Sequence, residues 1–455
     1  MRNALHQEPW EEIEAILRAG DAGRLKTCFE ELSPGETARV ISRLREEDRA
    51  RVLTLLSPED AAALLEELSH TQAADLIEEL SPAQAAAIVN EMPSDEQVDL
   101  LGELDAQGAA AILEEMEAEE AEEVRQLSQF PPDTAGGLMI TEYLVSPDKF
   151  RVADVLDNLR QRREQYAKYD VQYVYITSER DELVGVLRLR DLLLSPRETP
   201  VTQIMISKPL KVQTVTTLDD LQHFFDRHPF FGVPVTDEQG RLVGVVRRAD
   251  VEEAVGDRAD RTFLKVSGIV GGEELRSMPL SVRASRRLAW LSINIVLNII
   301  AASVIALYQE TLAAVIALAV FLPIVSDMSG NAGNQAVAVS LRELTLGLVK
   351  PYELVRVLLK EAGVGIINGL LLGVLLGGVA WAWQGNPYLG FVVGVAMALN
   401  TLVSVVLGGT IPLLLRRMHM DPALASGPIL TTVTDMCGFF LVLSFATAAL
   451  PWLAG

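Results

Sequence analysis

Cysteine and histidine are close to absent from this chain, with two of the former and five of the latter in 455 residues. Cys28 falls in an acidic stretch and Cys437 in an apolar one, so no disulfide framework exists and a reducing cytosol suits the front of the chain. The same scarcity excludes a tetrahedral zinc cage or a soft copper site. No Ser/His/Asp set and no phosphate-cradling glycine loop is recognisable, so no enzyme is expected. Basic residues are also in deficit, 39 against 62 acidic, for a net charge of −23; such a surface repels nucleic acid and favours cations. Met1 to Trp10 carries no basic-then-apolar signal, and the front is expected to stay on the side where it is made.

What is present is segregated. Residues 1–287 hold 33 basic and 55 acidic residues, whereas from Leu288 onward there are six and seven. That rear part contains five apolar stretches, near Leu288 to Tyr308, Leu312 to Leu341, Ala362 to Trp383, Tyr388 to Leu415 and Leu424 to Leu453. Each can span a hydrocarbon core, which takes about 20 helical residues. Arg283, Arg286 and Arg287 precede the first; Arg342, Lys350, Arg356 and Lys360 follow the second; Arg416 and Arg417 follow the fourth. The positive-inside rule then places the N-terminus in the cytoplasm and the C-terminus outside, in a multi-pass plasma (inner) membrane protein. An even number of crossings would need one re-entrant stretch, and the second, interrupted by Pro323, Gly330 and Gly333, suits it best.

In the front, leucine or methionine recurs every twelve residues at Leu32, Leu44, Leu56, Leu68, Leu80, Met92, Leu104 and Met116. Helix-start pairs such as Ser57-Pro58 and Ser81-Pro82 follow, with serine as N-cap and proline at the first helical position. Twelve residues allow about two helical turns and a connection, so residues 1–130 are expected to form an α-helical superhelix. Its acidic faces, such as Glu66-Glu67 and Glu78-Glu79, are expected to face solvent. After residues 131–137 the pattern becomes strand-turn-strand-helix, twice: Val171 to Ile176, Glu182 to Leu189 and Asp191, then Gly232 to Val235, Arg241 to Val246 and Asp250. Leu183-Val184-Gly185-Val186 is matched by Leu242-Val243-Gly244-Val245. This duplication resembles a tandem pair of α/β CBS domains, placed at 131–256. In nucleotide-binding CBS pairs a Ser or Thr three residues before the aspartate helps hold ribose. Here Asp191 and Asp250 are kept but Arg188 and Arg247 occupy those places, so the match to a site for ATP or another adenosine nucleotide is incomplete.

Asp435 is the one charge in the last apolar stretch, and a carboxylate at membrane depth is costly enough to mark a functional site. Ser329-Gly330-Asn331-Ala332-Gly333-Asn334-Gln335 interrupts the second stretch. Together they point to an ion pathway rather than an anchor, since a membrane-tethered sensor needs neither. Magnesium binds oxygen and sheds water reluctantly, so few carboxylates suffice if amides read its hydration shell. A twofold dimer would bring two Asp435 residues to one axis. Asn294, Asn298, Asn368 and Asn400 read instead as hydrogen-bonding glue between helices.

Across essentially its whole length the chain resembles the MgtE family of magnesium channels and transporters. The residues that carry the match are Asp133-Thr134-Ala135-Gly136-Gly137-Leu138-Met139, Pro323 with Gly330 to Gln335, and Asp421-Pro422-Ala423 leading to Thr434-Asp435 and Gly438. The resemblance implies a multidomain homodimer in membrane lipid: superhelix, CBS pair, a connecting helix over 257–287, and a five-span all-α domain over 288–455. It implies magnesium as cargo, moved into the cytoplasm, with cobalt, nickel or ion exchange as the alternative within transport. It also implies Asp435 as the ion-selecting carboxylate, and Asn331, Gly330, Asn334, Gln335, Thr431 and Gly438 along the path. Asp327 stands where small residues are usual.

In the family, magnesium bound by carboxylates at the end of the CBS pair closes the pore. The corresponding acids here are Asp250, Glu253, Asp257 and Asp260, with Asp191 in the first copy. Arg258 and Arg261 are interspersed, available to pair with Asp257 or Glu253, and reduce the charge of residues 250–261 from −5 to −3. Internal cations weaken both the need for a divalent ion and its affinity. Protease protection of the soluble part is therefore expected to change little below millimolar magnesium, the scale of weak oxygen-ligand sites at about 1 mM. Strong protection at lower magnesium would show that other acids complete a sensor.

Overall fold

A computed structural model of the chain describes residues 9–167, 169, 172–269, 278 and 280–453. It divides into two compact units, Met1–Arg258 and Ala259–Gly455.

The first unit opens with ten short helices, from Pro9–Ala19 to Ala118–Leu127. None is long enough to hold its shape alone. Their stability comes from caps and a shared core. Ser33 and Ser81 form capping boxes with Glu36 and Gln84, and the Ser57 and Ser69 hydroxyls accept from the Asp60 and Gln72 amides. Leu44, Leu56, Leu68, Met92, Leu104 and Met116, the twelve-residue series, all lie in one continuous core. Helices pack on the next but one along the chain, as in a solenoid. Glu66, Glu67 and Glu78 are exposed as expected. Two acids also tie the stack: Glu67 accepts from Thr37 at 2.8 Å, and Glu79 pairs with Arg49.

The duplication follows as two sheets. The first has the order β1 (Leu144–Pro147), β2 (Tyr173–Thr177), β3 (Leu183–Arg188), β4 (Ile206–Ser207), and the second β5 (Val212–Gln213), β6 (Gly232–Thr236), β7 (Leu242–Arg247). Val171, where the first strand was expected to begin, lies outside the described residues. In each copy a parallel pair precedes an antiparallel one, and the register slips at the same place, Ile176/Thr177 and Val235/Thr236. The hairpin turns correspond too, with positive φ at Asp181 and Gly240. Gly185 and Gly244 have equivalent jobs: a Cβ on either would collide with a methionine side chain, Met205 or Met139.

Helix α1 (Arg248–Val266) leaves β7. The single connecting helix expected over 257–287 is not formed by the described residues. Gly268 adopts φ +80°, and the Ile269 amide bonds the Leu264 carbonyl five residues back, a helix-ending arrangement. Residues 270–277 and 279 of that connector lie outside the described residues.

The second unit contains α2 (Leu280–Leu307), α3 (Leu318–Thr345), α4 (Leu354–Gln384), α5 (Pro387–Arg417) and α6 (Pro422–Ala448). Four helices are long and apolar enough to cross a membrane: α2, α4, α5 and the Ser426–Ala448 part of α6. The fifth expected span corresponds to α3, which has 28 residues but a polar middle. The break expected there is absent, because α3 runs unbroken through Pro323, Gly330 and Gly333. Gly333 serves close approach instead of interruption. A Cβ on Gly333 would meet Leu430 at 2.8 Å and the Ser404 carbonyl at 2.9 Å, and Gly408 on α5 lies against the Gly333 backbone. Helix α5 is the hub, packed against α3, α4 and α6. Gly369, Gly373 and Gly377 of α4 interlock there with Gly390, Gly394 and Ala398, the small-residue contact by which apolar helices associate in lipid.

Candidate cation site

Asp435 lies thirteen residues from each end of α6, or about 20 Å at 1.5 Å per residue. It is half-buried and accepts a hydrogen bond from the Ser326 hydroxyl on α3. Beside it is a cavity of about 590 Å³. Pro323, Ser326, Asp327, Gly330, Asn331 and Asn334 supply its α3 wall, Thr431, Asp435 and Phe439 its α6 wall, and Ile305 and Leu312 an apolar side. The polar atoms are two carboxylates, two amides and hydroxyls, all oxygen-bearing groups able to accept from the water shell of a hard cation. No group of three or more His, Cys, Asp or Glu side chains able to hold a metal occurs among the described residues.

The cavity gathers Asp435, Gly330, Asn331, Asn334, Thr431 and Asp327 from the expected site residues. It does not gather Gln335, which is exposed elsewhere on α3, or Gly438. Gly438 faces α5, where a Cβ would meet the Asn400 amide nitrogen at 2.7 Å, so its role is helix contact. Ser326 was missed, although Pro323, Ser326, Gly330 and Asn334 form a stripe at spacings of three and four that marks one helix face. Asn400 is fully buried, and neither its amide oxygen nor its nitrogen has a partner among the described residues. Asn294 bonds within its own helix, to the Trp290 carbonyl at 3.2 Å. Neither shows the expected glue between helices.

The soluble acids form a second site, a cavity of about 460 Å³ whose lining includes Glu66, Glu96, Glu142, Arg247, Asp250 and Glu253. Arg247 is its centre: the guanidinium reaches Asp250 at 2.8 Å and Asp95, on the Ser94–Glu103 helix, at 3.1 Å. Glu142 supports the same junction by accepting from the Ser94 amide and hydroxyl at 2.9 and 2.8 Å. Arg258 pairs with Asp219 at 2.6 Å, an acid remote in sequence that the 217–227 segment brings beside α1. Asp257 contributes charge near His70 and Glu253. Asp260 is exposed on α1, and Asp191, in the other copy, pairs with Arg190 at 3.4 Å, so neither lines this cavity.

Two protons belong to this junction. Burial, followed by the Asp250 charge and against the pull of Arg247, pushes the Asp95 carboxyl up to about 8. The bond from His70 to Glu96, at 3.4 Å, with the charges of Glu96, Asp99 and Asp257, holds the imidazole up at about 9 against its burial. Both values exceed the ordinary ones. Asp95 therefore contributes fully below pH 4 and loses its contribution as pH rises through about 8, while that of His70 is full below about 6.5 and lost through about 9. Protease cleavage between the superhelix and the sheets is expected to speed up from pH 7 to 9.5, and His70→Gln should flatten the upper part of that rise. A rate independent of pH would show that these protons do not hold the junction.

Helices of membrane-spanning length around an oxygen-lined cavity, together with an acidic soluble unit, define a membrane protein for hard cations. Comparison with known proteins agrees. Family models match for the divalent cation transporter MgtE over residues 322–445, the MgtE intracellular N domain over 4–133 and the CBS domain over 201–257. The magnesium transporter MgtE of Bacillus subtilis (strain 168) is 32% identical over 330 residues, 72% of each chain. That of Thermus thermophilus is 35% identical over 326 residues, 71% of this chain and 72% of its own. The solved cytosolic domain of the Mg2+ channel MgtE in complex with ATP is similar at 31% identity and a TM-score of 0.50, over 54% of this chain and 99% of that one. The chain belongs to the MgtE family of divalent cation transporters.

Proposed function

We propose that this protein carries magnesium across the plasma membrane into the cytoplasm, along a path that includes the cavity between α3 and α6. The observation that carries this reading is the Asp435 carboxylate at the middle of an apolar helix, facing a cavity of oxygen donors. A stranded charge at that depth is expensive, and a cation that it attracts offsets the cost. One wall of carboxylates and amides is an incomplete cage for an octahedral ion. A second copy related by twofold symmetry completes it with the same residues, so the working form is a homodimer in lipid. Orientation follows from the arginines and lysines flanking α2, α3 and α5, with the N-terminus cytoplasmic and the C-terminus outside. Residues 1–130 and 131–256 are then cytosolic regulators.

Regulation by magnesium is reduced in this chain by the junction at Arg247, which neutralises Asp95 and Asp250 from within. Arg247 also occupies the place of the ribose-holding hydroxyl, and Glu66, Glu96 and Glu142 beside it oppose a polyphosphate. ATP, bound by the related cytosolic domain, is thus a poor ligand for this copy. Other divalent ions, cobalt and nickel among them, present the same charge to Asp435 and are the competing cargo.

Magnesium uptake into proteoliposomes tests the reading. Asp435→Asn is expected to reduce uptake at least about tenfold while leaving the folded oligomer intact, since the amide keeps the shape and drops the charge. Unchanged uptake by well-folded Asp435→Asn would remove this carboxylate from the path. In the same assay Asn331→Ala should lower flux or loosen selectivity more than Asn294→Ala, because only Asn331 lines the cavity; equal effects would return Asn331 to a packing role.

A further inference from the structure

Asp327 and Asn331 occupy successive turns of α3 on the wall of the cavity, and the Asn331 amide nitrogen donates to an Asp327 carboxylate oxygen at 3.3 Å. An asparagine amide has opposite faces, a donating nitrogen and an accepting oxygen, and which one meets a ligand is decided by its other partner. A carboxylate accepts only, so it selects the nitrogen. The Asn331 oxygen, on the other arm of the same planar group, has no donor among the described residues, and Asn331 lines the cavity. A hydrated divalent cation presents outward-pointing water protons, which an amide oxygen accepts and an amide nitrogen repels.

We infer that Asp327 is a positioning residue: it holds the Asn331 amide with its oxygen toward the ion path, so that the path accepts hydrogen bonds from the ion's water shell. Asp435 is pinned in a parallel way, by the hydroxyl of Ser326, the residue before Asp327. One turn of α3 thus orients two of the polar groups that line the cavity, the carboxylate of α6 through Ser326 and the amide of α3 through Asp327. The assignment rests on the proposed pathway, but it concerns the direction of one amide and not the presence of a path.

The experiment separates the acceptor of Asp327 from its charge. Asp327→Asn keeps an oxygen that can take the Asn331 N–H and loses the charge, whereas Asp327→Leu keeps the bulk and loses the acceptor. Proteoliposome uptake is measured for magnesium, with sodium as competitor, on protein that elutes as the wild-type oligomer. Asp327→Leu is expected to raise the half-saturating magnesium about tenfold, the scale of one lost charge-assisted hydrogen bond, with maximal flux within about twofold. Asp327→Asn should raise the half-saturating magnesium less than Asp327→Leu does, since it loses the charge of the cavity wall but keeps the acceptor for Asn331. In an Asn331→Ala background Asp327→Leu and Asp327→Asn should have the same effect, that of the lost charge, since no amide remains to be oriented. Equal impairment of the Asn and Leu variants, or a difference between them that persists in the Asn331→Ala background, would overturn the assignment and leave Asp327 as a bulk charge or a packing residue. Wild-type protein that moves no magnesium would overturn the pathway itself, an outcome that the variants cannot mimic.

Discussion

A carboxylate in the middle of an apolar helix is the constraint around which the membrane unit is built. Asp435 needs a polar neighbour, and the neighbour must come from another helix that can itself bear polar side chains in an apolar setting. Helix α3 meets this by presenting its polar residues to α5 and α6, where Ser404 donates to the Ser329 carbonyl at 2.5 Å and Ser340 to the Gly409 carbonyl at 2.7 Å. Such contacts demand close backbones, so Gly333 and Gly408 meet where side chains would keep the helices apart. The chemistry of one residue thus dictates small residues on two other helices.

The soluble unit solves a related problem with a different cation. Its acidic residues converge between the superhelix and the second strand copy, where like charges repel and burial makes ionisation costly. Arg247, placed at the end of β7, lies between Asp95 and Asp250, and burial holds the Asp95 pKa up while Glu96 holds that of His70 up. An arginine thus stands where a purely acidic junction would gain most from a divalent ion.

Periodicity made the architecture legible. The twelve-residue series placed the superhelix core, and the repeated Leu-Val-Gly-Val placed both hairpins to within a residue or two. The polar stripe of α3 and the single acid of α6 were likewise visible as chemistry out of keeping with their surroundings. The errors share a cause. Gly330 and Gly333 read as an interruption of the second stretch, but α3 runs through both: Gly333 admits the backbone of α5 and Gly330 lies on the cavity wall, so tertiary context overrides propensity. Gly438 shares a helix face with Asp435 by spacing alone, yet that face is wide enough to meet both the cavity and Asn400. Arg258 also reaches Asp219, an acid that no reading along its own segment could have offered.

Composition and pattern by themselves determined where this chain is apolar, which part is acidic, how often its units repeat and which polar residues are out of place, since all of these are local properties read along the backbone. Only the tertiary structure decided partners: Ser326 with Asp435 across 109 residues, and Arg247 with Asp95 across 152. A helix or strand fixes the direction of its side chains every 3.6 or two residues. What waits at the end of that direction is set by which other element packs there, and by glycines that let it come close enough.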